Sequence, residues 1–241
     1  MESYHIEYDY LKSFDRIDAI ISESDNSFED AECIPPRDRL TFSNGFYVNC
    51  TALFVDIRGS SGLPESHKRP KLAKLYRAYI SEVVAVMNGN TCCAEVSIVG
   101  DCVSAVFDTP YNVSINSVFT TAAQIGSLID VLDCKFQKHG IEGIKIGIGM
   151  SYGRALMIKA GYKGSSINDV VWMGNVLNEA SKLCDYAHQN RLDCELMVSS
   201  RVHGNLSDHN KGLLAWNTSR SCYHGTVINS KMNEWYKANC E

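Results

Sequence analysis

Between Tyr10 and Ser24 the residues Leu11, Phe14, Ile17, Ile20 and Ile21 recur at helical spacing, which predicts a short amphipathic helix. The acidic stretch that follows, SESDNSFEDAECIPPRDR, lacks a period and is broken at Pro35–Pro36, so it reads as a connector. From Phe46 to Ile57 an apolar, β-branched run predicts a buried strand with Asp56 at its end. Arg69 to Asn88 then places Leu72, Leu75, Tyr76, Tyr79, Ile80, Val83 and Val84 on one face of a long helix. Glu95–Val99 and Cys102–Phe107 form a predicted hairpin turning at Gly100–Asp101. A second long helix is expected over Val113–His139, followed by two strands, IKIGIGMSYG and RALMIKA, and a loop rich in Gly, Ser and Asn. A third helix covers about Gly174–Asn190, with shorter strands near Glu195–Val198, Leu213–Trp216 and His224–Ile228.

The order strand–helix–hairpin–helix–strand predicts an α+β fold with a ferredoxin-like antiparallel sheet and helices packed on it. Residues 1–40 read as an N-terminal helix and connector, and 41–241 as one larger domain. In such a sheet the strand end at Asp56 and the hairpin turn at Asp101 can converge.

Charge and cysteine usage narrow the partners. The net charge of −5 comes with no basic stripe, which argues against a nucleic-acid duplex as ligand. A small anion stays possible where a bound cation supplies positive charge locally. The ten cysteines show no CxxC pairs, and are expected to be reduced thiols rather than disulfides or a zinc site. No apolar run approaches the roughly 18–20 residues that span a bilayer, and the opening segment is mixed polar and aromatic. A cytoplasmic location without a membrane span is the expectation.

Asp56 and Asp101 carry the candidate chemistry. Either one alone is explained by a turn or cap, since Gly-Asp is a common hairpin pair. Together, a strand ending in DIRGS and an apolar hairpin broken at GD suit two divalent ions on a nucleoside triphosphate. Hard oxygen ligands select Mg2+ or Mn2+ over zinc.

Four blocks, FVDIRGSS (54–61), SIVGDCVSAVF (97–107), IKIGIGMSYGRALMIKAG (144–161) and WMGNVLNEASK (172–182), resemble the class III nucleotidyl cyclase family. The resemblance implies two ions held by Asp56, Asp101 and the Ile57 backbone carbonyl. It implies that Asn178 orients the ribose, and that Lys182 stands where the family has a transition-state arginine. Lysine is a point charge rather than a planar fork, so Arg58 and Arg154 are candidate substitutes. Gly59, Ser60 and Arg58 are expected at the phosphates, and His224 and Lys231 either reach phosphate or belong to a terminal strand and tail.

Ser97 and Val171 occupy the positions with which purine cyclases read the base. The segments IPPRDRLTFSNGFYVNCTALFVDIRGSS and YRAYISEVVAV further resemble the pyrimidine cyclases of Pycsar antiphage systems. There a bulky aromatic on the first strand narrows the pocket; Tyr47 is the candidate, with Phe46 the alternative on the other strand face. Phe14 either lies over the base or packs in the core. The resemblance implies a homodimer with sites shared between subunits, making cyclic UMP from UTP, or cyclic CMP from CTP, for a separate effector. Three rivals are a nucleotide-binding module that no longer reacts, a diguanylate-cyclase-like palm enzyme, whose GG[DE]EF-like turn is replaced by VGDC, and a structural α+β domain whose GD turn is accidental.

Overall fold

The computed structural model describes residues 5–66, 68–164 and 167–240. Helix α1 (Tyr10–Ile21) starts at Asp9, whose carboxylate accepts the Leu11 and Lys12 backbone N–H groups. Its apolar face is not packed: Leu11, Phe14, Ile20 and Ile21 each leave more than half their surface in water. Phe14 therefore has no place in the core, contrary to one expectation, and meets the Tyr10 ring edge-on.

The connector contains a strand that the sequence conceals. β1 (Phe28–Asp30) pairs in parallel with the start of β2 (Gly45–Ile57), from Phe28↔Gly45 to Asp30↔Tyr47. Three residues, FED, carry too little alternation to signal it. After the short helix α2 (Leu63–Ser66) come α3 (Arg69–Asn88), the hairpin β3 (Cys93–Val99) and β4 (Cys102–Asp108), and α4 (Asn112–Lys138), all close to expectation.

β5 (Ile146–Gly161) is one strand where two were predicted. Gly153–Arg154 looks like a break, but thirteen consecutive pairs with β2, from Ile57↔Ile146 to Gly45↔Ile158, hold the backbone extended through it. β6 (Asn168–Met173) returns against β5, and α5 (Asn175–Tyr186) stops short of the predicted Asn190. The chain turns extended at Ala187 and takes a positive φ at His188, whose Nδ1 meets the Ile146 carbonyl. β7 (Leu196–Val198), α6 (Ser200–Asn205), α7 (Asp208–Lys211), β8 (Ala215–Asn217), β9 (Cys222–Gly225) and α8 (Ser230–Cys240) complete the chain. The three short helices among them were not predicted.

The sheet order is β3-β4-β2-β5-β7-β9-β8, with β1 added at β2 and β6 at β5. The unit β2-α3-β3-β4-α4-β5 is the expected ferredoxin-like core, with β2 antiparallel to both β4 and β5. Alternation along β2 divides its side chains between two layers. Leu53, Val55 and Ile57 pack with Leu75, Tyr79, Val83 and Met87 of α3 and Ile115 and Val118 of α4. Cys50 and Ala52 face the other way, against Val176 and Ala180 of α5.

α5 can approach because the strand beneath it is bare. A Cβ on Gly149 would collide with the Ala180 carbonyl and the Cys184 backbone, and one on Gly147 would meet the Cys184 carbonyl at 2.6 Å. Any side chain at these positions would push the helix off the sheet. α4 is the one described helix long and apolar enough to cross a membrane, but its apolar face is spent in the core.

Cys134 and Cys240 are joined as a disulfide, which corrects the expectation of ten reduced thiols. They lie 106 residues apart, and only the packing of α8 on α4 brings them together.

Glu195 enters β7 with its carboxyl against Gly126 of α4, where a side chain would clash with it. Burial, helped by the Asp130 charge, pushes its pKa up to about 7. A carboxyl raised in the fold favours the native state below its unfolded pKa and loses that contribution as pH rises toward 7. Glu195→Gln is therefore expected to raise the unfolding free energy by about 2–3 kcal/mol at pH 8. The gain should vanish near pH 4; urea melts at both values would show it, and an equal gain at both pH values would refute the assignment.

Candidate active site

The apolar run of β2 carries Asp56 to the sheet's end, half-buried beside the β3–β4 turn. Gly100 takes a φ of 63° there, a conformation open to glycine, and so lets the hairpin close in two residues. The closure sets Asp101 against Asp56. Burial first, and then the Asp101 charge, hold the Asp56 carboxyl above its usual range.

Arg58 supplies one positive charge for the two carboxylates. Its Nη2 donates to Asp56 Oδ2 at 2.9 Å and its Nη1 to the Asp185 carbonyl at 3.3 Å. Asp101 Oδ2 is buried with no hydrogen-bond partner. A buried, orphaned carboxylate oxygen facing a second carboxylate is a costly arrangement without more positive charge. The donor set, all hard oxygen, therefore fits Mg2+ or Mn2+. Among the described residues no group of three or more His, Cys, Asp or Glu converges, so further donors have to be backbone, water or ligand oxygens. Ile57, next to Asp56, keeps its side chain in the core and offers only its backbone. Gly59, with φ of 68°, begins the turn through Ser60 that leaves the strand.

Asn178 and Lys182 sit elsewhere. They project from the exposed side of α5 into a cleft of about 750 Å³, walled by Tyr152, Arg154, Arg201 and Arg220. Neither aspartate lines this cleft. Asn178 lies seven residues before Asp185, where Arg58 is anchored, or roughly 10 Å along the helix. One chain thus presents the two halves of the expected site separately.

The expected base-reading residues divide between these halves. Ser97 pairs with Ser104, and Ser104 with Phe54, so all three share the Asp56 face of the sheet. Phe54 is half-buried there and was missed from the sequence, although its position two before Asp56 marks it. Tyr47 lies nine residues before Asp56, roughly 30 Å along the strand. Arg154 stacks on its ring at 4.2 Å and pairs with Asp30, which links Tyr47 to the Asn178 cleft. Val171 pairs with Ile158 and Ile158 with Gly45, which puts it on the face of Tyr47. Its neighbour Trp172 points oppositely and donates to Glu95 at 3.1 Å.

Phe46, the alternative to Tyr47, is buried beneath Arg39. Phe14 does not line the Asn178 cleft. His224 is engaged with Cys194 and Asn217 inside the sheet, and Lys231 begins the terminal helix. Arg201 and Arg220 were also missed, because they come from segments that carry no motif.

Residues 43–229 match the model of the adenylate and guanylate cyclase catalytic domain. A uridylate cyclase of Gulbenkiania mobilis is 39% identical, covering 99% of this chain and all of the relative. A uridylate cyclase of Treponema porcinum is 34% identical over 95% of this chain and 81% of its own length. Among solved structures, the adenylyl cyclase CyaB from P. aeruginosa superposes with a TM-score of 0.63. It is 20% identical and covers 78% of this chain and 97% of its own, a likeness of fold.

Proposed function

The chain belongs to the adenylate and guanylate cyclase catalytic domain family, and on that premise we propose that it is a uridylate cyclase, converting UTP to 3′,5′-cyclic UMP and pyrophosphate. The observation that carries the proposal is the pair Asp56–Asp101, with an orphaned carboxylate oxygen, in a chain that aligns end to end with a uridylate cyclase. Mg2+ or Mn2+ held by Asp56, Asp101 and the Ile57 carbonyl, two ions per site, would lower the pKa of the ribose 3′-hydroxyl and shield the phosphates. Asp56 and Asp101 fix where that charge sits, and Arg58 holds Asp56 in place from the side. Asn178 offers an amide to the ribose, and Lys182 a cation to the triphosphate. Backbone N–H groups of the Gly59–Ser60 turn can meet phosphate oxygens.

Substrate choice follows from size and edge chemistry. Ser97 and Phe54 on one side, and Tyr47 and Val171 on the other, offer no charged group to a purine edge. UTP is favoured over CTP by the two relatives alone. The assembly is a homodimer in the cytoplasm, and the cyclic product acts as an antiphage signal read by a separate effector. The test is incubation with Mn2+ and each of ATP, GTP, CTP and UTP, with products identified by mass spectrometry. Cyclic UMP is expected; cyclic CMP alone would reassign the base, and a purine product would overturn the pyrimidine assignment.

A further inference from the structure

The Asn178 cleft is strongly cationic for a chain of net charge −5. Its charged walls are Arg154, Lys182, Arg201 and Arg220 against the single carboxylate Glu179, which is bound by the Ser151 hydroxyl. Two of the three arginines are already committed. Arg154 pairs with Asp30 and covers Tyr47. Arg220 pairs with the buried Asp193 at 2.9 Å and stacks on Tyr186.

Arg201 is different. It is the only arginine of the cleft without a carboxylate partner among the described residues, and its side chain is exposed. Beneath it the sheet makes room: a Cβ at Gly153 would come within 3.2 Å of an Arg201 Nη. Its neighbour Val202, fully buried, fastens α6 to the core, so the Arg201 side chain is not needed to hold the helix. A planar guanidinium without a carboxylate partner, lining the same cleft as Asn178 and Lys182, is suited to an anion with several oxygens.

We propose that Arg201 is a catalytic residue, binding the triphosphate from above Gly153, beside the first turn of α5, as charge gathers on the leaving group. The inference rests on the cyclase activity proposed above. In that reaction the 3′-oxygen bonds to the α-phosphorus and its proton passes to water. The bond from the α-phosphorus to the bridging oxygen breaks, and its electron pair leaves with pyrophosphate. Arg201 donates hydrogen bonds to those phosphate oxygens, more strongly as their charge rises.

The test compares wild type, Arg201→Ala and Arg201→Lys on UTP with Mn2+, with and without added guanidinium chloride at millimolar concentration. Arg201→Ala is expected to lose about a hundredfold in kcat with KM changed less than about threefold. Arg201→Lys should fall between, and guanidinium should restore several-fold activity to Arg201→Ala but none to Asn178→Ala. A kcat for Arg201→Ala within threefold of wild type, or a slow variant that guanidinium does not revive, overturns the assignment. A wild type that forms no cyclic product from any triphosphate removes the underlying activity as well, and the two failures are thereby distinct.

Discussion

Asp101→Ala is expected to lower UTP turnover at least about a thousandfold while leaving the melting temperature unchanged or raised. The two effects have one origin. Asp101 Oδ2 is buried without a partner, and its charge adds to the burial that already disfavours the Asp56 carboxylate. In the absence of divalent ions the pair is therefore a cost to the fold, tolerated for what it binds. Alanine at 101 removes the orphan and relieves Asp56, whereas alanine at 56 would strand the guanidinium of Arg58, with its Nε already unpartnered. Asp101 is the cleaner variant for this reason. Thermal melts with and without Mn2+ add a binding readout. Mn2+ should stabilise wild type through mass action and leave Asp101→Ala unmoved. Near-normal turnover, or an Asp101→Ala protein equally stabilised by Mn2+, would remove the pair from the mechanism.

The core of the fold was legible because its signals are local. Periods of 3.6 and 2 in α3, α4, β2 and the β3–β4 hairpin are written in consecutive residues, and the structure places them within a few positions of expectation. What escaped depends on distant partners. β1 is three polar and aromatic residues made into a strand by the start of β2. β5 stays continuous past Gly153 because β2 pairs with it throughout, and Cys134 finds Cys240 only when α8 docks. α1 failed in the opposite sense, since an amphipathic period predicts a helix but not what covers it. The site shows the same division. Asp56 and Asp101 are marked by a strand end and a turn, whereas Asn178 and Lys182 were expected only through the family resemblance, their spacing adding no more than a shared helix face. Arg201 and Arg220 belong to the cleft through folding alone, and no spacing in the sequence marks them.

Mixing two inactive variants, Asp56→Ala and Asn178→Ala, is expected to restore roughly a quarter of wild-type activity if the dimer is two-fold and the subunits reassort freely. The argument begins from the separation within one chain. Asp56 and Asp101 cluster at the end of β2, while Asn178 and Lys182 open into a cleft that includes neither aspartate. In the homodimer proposed above, a nucleotide that uses both sets draws them from two copies. In a head-to-tail pair each site then takes its carboxylates from one subunit and its Asn178 from the other. The hybrid dimer concentrates both defects in one site and leaves the second intact. Half of randomly formed dimers are hybrids and each has one working site of two, which gives the quarter. Mixing Asp56→Ala with Asp101→Ala is the control, because every site then lacks a carboxylate and no activity should return. Hybrids shown by differential tagging to form, yet inactive, would mean that each chain completes its own site, and that the carboxylates reach Asn178 by a closure within one subunit.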